Sequence, residues 1–294
     1  MLNNKNNFQS SNTVLIIING TVHINILDRC DVLIENFVPG SLARLGLSYD
    51  DLRSIAPSLI YCSLTGYGPT GPYSNRPGYD LMAASIGGLL SVTGPTSGEP
   101  CRVGVQITDL ATGLYAHGAI LAALIERNKT GKGQKIDCDL LATQVSCMTN
   151  LASSYLNGGV EAKALGSCHP SMVPNQAFQT KDSYISITCN TNSQFAALCE
   201  TLDLMHLTFD KRYLDNSSRV EHRERLITIL SERFLEHSTE HWLTVFERSA
   251  FPYAPINSLS ATFRDPQVVH KNMVQNTQHS NGKKCWYILF YFYY

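Results

Sequence analysis

The stretch "DVLIENFVPGSLARLGLSYDDLRSIAPSLIYCSLTG", residues 31–66, decides the fold class. Its ends, DVLIEN (Asp31–Asn36) and LIYCSLTG (Leu59–Gly66), are short apolar runs bounded by turn residues, as buried strands are. Between them SYDDLRSIAPS reads as a helix, with Ser48 as N-cap and Asp51 three residues on as a near capping box. Strand, helix and strand in such close succession make a β-α-β rhythm. That rhythm favours a parallel sheet in an α/β protein.

The alternation continues downstream. The Gly- and Pro-rich loop TGYGPTGPYSNRPG leads to the apolar helix YDLMAASIGGLLSVTG. RVGVQI then reads as a strand running to Asp109, and a long helix spans Leu110 to Asn128, with Gly131 placed as its C-cap. QKIDCDLL resumes a strand, and a further helix runs from about Leu141 to Leu156. Upstream, NTVLIIINGTVHINILDRC offers one more strand. After Asn157 the texture changes: FQTKDSYISITC reads as a hairpin turning at Lys181-Asp182-Ser183, and amphipathic helices follow in NSQFAALCETL and SRVEHRERLITILSERFLEH. These place a second, smaller α+β domain at roughly 165–255.

Composition narrows the function classes. The chain of 294 residues is 44% hydrophobic and 16% charged, with 23 basic and 24 acidic side chains and a formal charge of −1. No Lys/Arg run forms a stripe, which argues against a nucleic-acid surface. No membrane span is expected, because no stretch reaches about 18 apolar residues. Nine cysteines without a C-x-x-C pair read as reduced thiols of an intracellular protein. The two ends are unusual, the first Asn-rich and the last, KKCWYILFYFYY, an aromatic run of aggregation-prone character.

Three motifs are weaker than they look. Gly66-Tyr67-Gly68-Pro69-Thr70-Gly71 fits G-x-G-x-x-G, but Pro69, Pro72 and Pro77 prevent the helix that a dinucleotide site requires. An ordered loop bent over a pocket is the better account. His237-Ser238-Thr239-Glu240-His241 fits H-x-x-E-H, yet Ser238 or Thr239 is a good N-cap and starts a new helix between the two histidines. Asp137 and Asp139 sit on one strand face without a third ligand, so no metal site is expected.

Asp109 is different, because it stands where the chain turns into the long apolar helix. It either caps that helix or does chemistry. Unpaired N–H groups and the positive end of the helix dipole would hold it ionised there. Such a carboxylate suits attack on an acyl group, with the same donors steadying the oxyanion.

Read together, DVLIENFVPGSLARLGLSYDDL, LIYCSLTGYGPTGPYSNRPGYDLMAAS and ITDLATGLYAHGAILAAL resemble the class III CoA-transferases. KIDCDLLATQVSCM, MVPNQAFQTKDSYI and FPYAPINSLSATFRDPQVVHKNMV are similar to the dicarboxylate-using members of that family. The resemblance covers roughly residues 31–275. It implies a Rossmann-like large domain with a parallel sheet, built from 12–164 with 256–294, and a small domain at 165–255. It further implies an interlocked homodimer and, by analogy, a mitochondrial setting, although no import signal is visible.

The family's catalytic aspartate falls on Asp109, at the start of an Asp-x-x-x-Gly helix. Its CoA contacts fall on Asn36, Phe37, Arg44 and Leu45, and its aromatic residue beside the thioester on Tyr79. No tightly bound cofactor is implied; acyl-CoA is a substrate. CoA passes from an acyl-CoA, with succinyl-CoA as the expected donor, to a small dicarboxylate such as glutarate or hydroxymethylglutarate. The related α-methylacyl-CoA racemases use a histidine at the place of Tyr79, and a tyrosine is a poor base at neutral pH. Two departures leave a second reading open, that of a catalytically silent chain. The family's first β-α unit, whose loop holds part of the CoA nucleotide, finds no counterpart, and the C-terminal run replaces a segment that completes the large domain.

Overall fold

The computed structural model describes residues 14–17, 30–278 and 282–288. The chain divides into two compact units, Met1–Gly166 and Ser167–Tyr294.

In the first unit, β1 (Val14–Ile17), β2 (Val32–Glu35), α1 (Tyr49–Ile55), β3 (Ile60–Thr65), α2 (Asp80–Ile86), α3 (Leu89–Val92), α4 (Ile107–Thr130), β4 (Lys135–Asp139), α5 (Leu140–Cys147) and α6 (Thr149–Gly158) follow in order. The strands form a four-stranded sheet in the order β1-β2-β3-β4, with every pairing parallel. The expected β-α-β frame is thus present, and the upstream segment does supply a strand.

Both faces of this sheet are covered, as a parallel sheet requires. Side chains alternate along β2. Leu33 packs with Tyr61, Leu52, Leu47 and Leu42 under α1, while Val32 and Ile34 pack with Ile60 against Ile120, Ala123 and Leu124 of α4. The α1 capping box is complete, with Ser48 accepting the Asp51 N–H and Asp51 accepting the Ser48 N–H.

Several expectations are corrected. RVGVQI is not a strand: residues 102–106 run as irregular chain, and α4 begins at Ile107. Among the described residues no strand pairs with it, and Val105 and Ile107 remain 51% and 40% exposed. The helix expected at YDLMAASIGGLLSVTG is divided at Gly87-Gly88, where Gly88 takes a left-handed φ of 81°. The helix expected at 141–156 is divided at Met148-Thr149. By length and composition α4 is also long and apolar enough to cross a membrane, against the expectation that no stretch is. One side of that helix is nevertheless spent on the sheet, through Ile120, Ala123 and Leu124.

In the second unit, β5 (Asn175–Gln179), β6 (Tyr184–Thr188), α7 (Asn192–Thr201), α8 (Asn216–Glu221), α9 (Arg223–Leu235), α10 (Thr239–Val245) and β7 (Tyr253–Pro255) surround an aromatic core. The strands form an antiparallel sheet in the order β5-β6-β7, and the hairpin turns where the sequence placed it. Phe178 stacks on Phe234, and Trp242 and Phe246 pack around Phe234. SRVEHRERLITILSERFLEH forms two helices, divided at His222, rather than one. A new helix does start between His237 and His241, with Ser238 as its N-cap. Their rings stack face to face at 4.0 Å, so their nitrogens do not converge as two metal ligands would. The C-terminal aromatic run contributes β9 (Lys284–Ile288), paired antiparallel with β8 (Val274–Gln278).

Candidate active site

The parallel strands β2, β3 and β4 end at one cavity, as ligand sites in open α/β sheets do. It measures about 430 Å³, and among its lining residues are Asn36, Phe37, Arg76, Tyr79, Asp109 and Gly113. Local chemistry puts each of them there.

Asn36 and Phe37 leave the end of β2 under restraint. The buried Glu35 carboxylate accepts the Phe37 backbone N–H at 2.8 Å and also takes the Ser63 hydroxyl from β3. On the next strand, the Thr65 hydroxyl accepts the Gly68 N–H at 2.9 Å and starts the loop. That loop, residues 66–78, closes on itself at a point only glycine tolerates. A Cβ on Gly66 would sit 2.5 Å from the Gly78 Cα, and the reverse contact is equally short. At the loop's far end the Arg76 guanidinium lies 4.0 Å over the Tyr73 ring, and Tyr73 meets Tyr67 edge to face. The ordered loop expected over a pocket is therefore present.

Tyr79 is the N-cap residue of α2, with no side-chain cap bond, and the residue is 72% exposed. Arg44 and Leu45 do not line the cavity. They lie in a 3-10 turn, Ala43–Leu45, with Leu45 exposed and the Arg44 Nη2 donating to Ser41 Oγ at 3.3 Å. Of the six residues singled out in the sequence, the structure thus gathers Asn36, Phe37, Tyr79 and Asp109.

Asp109 is not the helix cap. Gln106 is the N-cap residue of α4, with no side-chain cap bond, and Asp109 is the third residue of the helix. The capping carboxylate comes from α2. Asp80, 8% exposed, accepts the Thr108 N–H at 2.9 Å and the Asp109 N–H at 3.3 Å. The Ile107 N–H donates to the Val105 carbonyl and the Leu110 N–H to that of Gln106. All four donors of the first turn are thereby taken. The open row expected to hold Asp109 ionised and to serve an oxyanion is already engaged. Burial first, and the Asp80 charge second, push the Asp109 pKa above its ordinary value.

Asp109 still faces the cavity, and one turn further on so does Gly113, with open space where its Cβ would be. Gly113→Leu should fill that space. The expected result is an unchanged or higher Tm, since glycine is a poor helix former by about 1 kcal/mol, together with a KM raised roughly tenfold or more. Thermal melts and steady-state kinetics check it. Asp80 and Arg76 were not singled out from the sequence. Asp80 had a signal in its place directly after Tyr79, while Arg76 had only its membership of the loop.

The comparisons agree with this architecture. The family model "CoA-transferase family III" matches residues 21–292. The chain is 53% identical over 250 residues to the human "Succinyl-CoA:glutarate CoA-transferase", a match that takes in 85% of this chain and 57% of that enzyme. It is 38% identical over 257 residues to the "Succinate--glutarate CoA-transferase" of Agrobacterium fabrum, across 87% of this chain and 64% of that one. The chain therefore spans about six tenths of the length of these curated relatives. Among solved structures, a CAIB/BAIF family protein from Brucella suis superposes with a TM-score of 0.78 at 40% identity, over 86% of this chain and 67% of that one. The chain belongs to the family III CoA-transferases.

Proposed function

We propose that this chain is a CoA-transferase that moves CoA from succinyl-CoA to glutarate or a similar small dicarboxylate, with Asp109 as nucleophile. The observation that carries the reading is the convergence of Asp109, Tyr79, Asn36 and Phe37 on one cavity at the strand ends. The printed activities of the human and Agrobacterium relatives support the choice of donor and acceptor.

In this reading the Asp109 carboxylate attacks the thioester carbonyl, the C–S bond breaks, and CoA leaves as thiolate from a mixed anhydride. The thiolate then attacks the aspartyl carbonyl, releasing succinate and leaving an aspartyl-CoA thioester. The acceptor carboxylate displaces that CoA as a second anhydride. Returning thiolate attacks its acyl carbonyl, giving the new acyl-CoA and free Asp109. No proton need be moved in any of these steps. A carboxylate destabilised by burial and by Asp80 is the more nucleophilic for it. It must still be ionised to attack, so the acid limb of the rate should lie above the ordinary carboxylate range, because the Asp109 pKa is raised. A pH profile of glutaryl-CoA formation from succinyl-CoA and glutarate checks this.

Asn36 and Phe37 serve as CoA contacts and Tyr79 as the ring beside the thioester. Arg44 and Leu45 would act on CoA beyond the cavity. The same proposal includes residues 12–164 with 256–294 as the CoA-binding domain, 165–255 as the small domain, a mitochondrial setting and a homodimer. The homodimer is supported by α4, whose Leu110, Leu114, Leu121 and Ile125 stay 48–65% exposed. So much outward apolar surface suits a protein partner. Glutaryl-CoA formed from succinyl-CoA and glutarate by purified protein tests the function. Its absence from folded protein would favour the silent chain.

A further inference from the structure

Asp80 enters neither the acyl chemistry nor the cavity lining, yet it is bound to the residue that does the chemistry. It is the first residue of α2, directly after Tyr79, and the N–H groups that it accepts belong to Thr108 and Asp109 of α4. A second bond braces the same helix start from α5, where the Thr108 hydroxyl donates to Gln144 Oε1 at 2.9 Å. One buried carboxylate thus joins the two elements that carry Tyr79 and Asp109.

We propose that Asp80 is a positioning residue for the transfer reaction: it caps α4 from α2, fixes the distance between Tyr79 and Asp109, and keeps a negative charge beside the nucleophile. The inference rests on Asp109 as nucleophile. It goes beyond that reading because Asp80 touches no substrate. A cap supplied from another helix does something that a cap from α4's own N-terminus could not: it makes the position of Asp109 depend on the loop and helix that carry Tyr79. The charge set beside Asp109 is moreover a buried one.

The remaining groups around Asp109 do not offset that charge by direct pairing. From α5 the group that meets the start of α4, Gln144, is uncharged. From the end of β4 the Asp139 carboxylate is turned to the Ala142 N–H at 2.7 Å. From the loop come Tyr79 and Arg76, the latter stacked on Tyr73. Burial is the larger influence on the Asp109 carboxyl, and the Asp80 charge acts in the same direction.

Two variants separate the cap from the charge. Asp80→Asn keeps a carbonyl oxygen for the two N–H groups and removes the charge, whereas Asp80→Ala removes both. The measurements are Tm and the pH dependence of glutaryl-CoA formation from succinyl-CoA and glutarate. For Asp80→Asn the expected result is a near wild-type Tm with an acid limb moved to lower pH. For Asp80→Ala the acid limb moves the same way, Tm falls, and kcat drops roughly 10- to 100-fold as Asp109 loses its placement. A wild-type acid limb in both variants would overturn the proposal, as would a wild-type kcat in Asp80→Ala. Should the wild type form no glutaryl-CoA from succinyl-CoA and glutarate, the reading of function fails, and the contact is read by a double-mutant cycle of Asp80→Asn with Asp109→Asn in thermal stability. Non-additive shifts support charges that face each other, and additive shifts overturn it.

Discussion

Asp109→Ala should abolish CoA transfer from succinyl-CoA to glutarate, by at least about 10⁴-fold in kcat, while leaving a folded protein. Losses of that order follow when a covalent nucleophile is removed and only binding remains. A cap would behave otherwise: losing one costs about 1 kcal/mol of stability and no chemistry of its own. In this fold Asp109 does not cap α4, since Asp80 does. Its carboxylate is if anything a liability to stability. With its folded pKa raised, Asp109 binds its proton more tightly in the folded chain than in the unfolded one. Its contribution therefore falls as pH rises from the ordinary carboxylate range through the raised value. At neutral pH, Asp109→Asn should raise Tm slightly and lose transfer, the pattern of a site held at the expense of stability. A variant that keeps activity, or that loses activity only because it unfolds, would contradict this.

Gly66→Ala is expected to have the second-largest effect, for a spatial reason alone. Neither Gly66 nor Gly78 has a positive φ, so conformational strain is not at issue. The obstacle is the Gly78 backbone 2.5 Å from the new methyl carbon, and backbone cannot swing aside as a flexible side chain can. Gly66 also accepts the Leu141 N–H through its carbonyl at 3.1 Å, so the strand-to-loop turn and the start of α5 are both tied to it. Forcing the two strands of the loop apart should cost about 1–3 kcal/mol. It should also displace Arg76 and Tyr79 from Asp109 and lower kcat by roughly 100-fold. Thermal melts with glutaryl-CoA formation check both parts. Wild-type values for both would mean that the loop does not close at this pair.

The frame was legible because its signals are local. Short apolar runs marked β2 and β3, Ser48 and Asp51 marked the start of α1, and Gly131 marked the end of α4, where it takes a left-handed φ of 70°. RVGVQI failed for the opposite reason. Its alternation is that of a strand, but a strand needs a neighbour, and no local pattern says whether one exists. The same limit hid Asp80, which bonds across 28 residues to a helix on another part of the chain. Asp109 was identified as the residue of interest, but its physical setting was inverted, because the donors expected to steady it were already taken. Asn36, Phe37 and Tyr79 were carried to the cavity by family resemblance, and so were Arg44 and Leu45, which lie outside it.

The central claim is that Asp109 itself carries the CoA. Mass spectrometry of the Asp109 peptide after mixing the protein with succinyl-CoA tests this most directly. The account predicts a CoA thioester on Asp109, formed with release of succinate and heavier than the free peptide by the mass of CoA less one water, that disappears when glutarate is added as glutaryl-CoA appears. Glutaryl-CoA formed at the wild-type rate while the Asp109 peptide stays unmodified would contradict it.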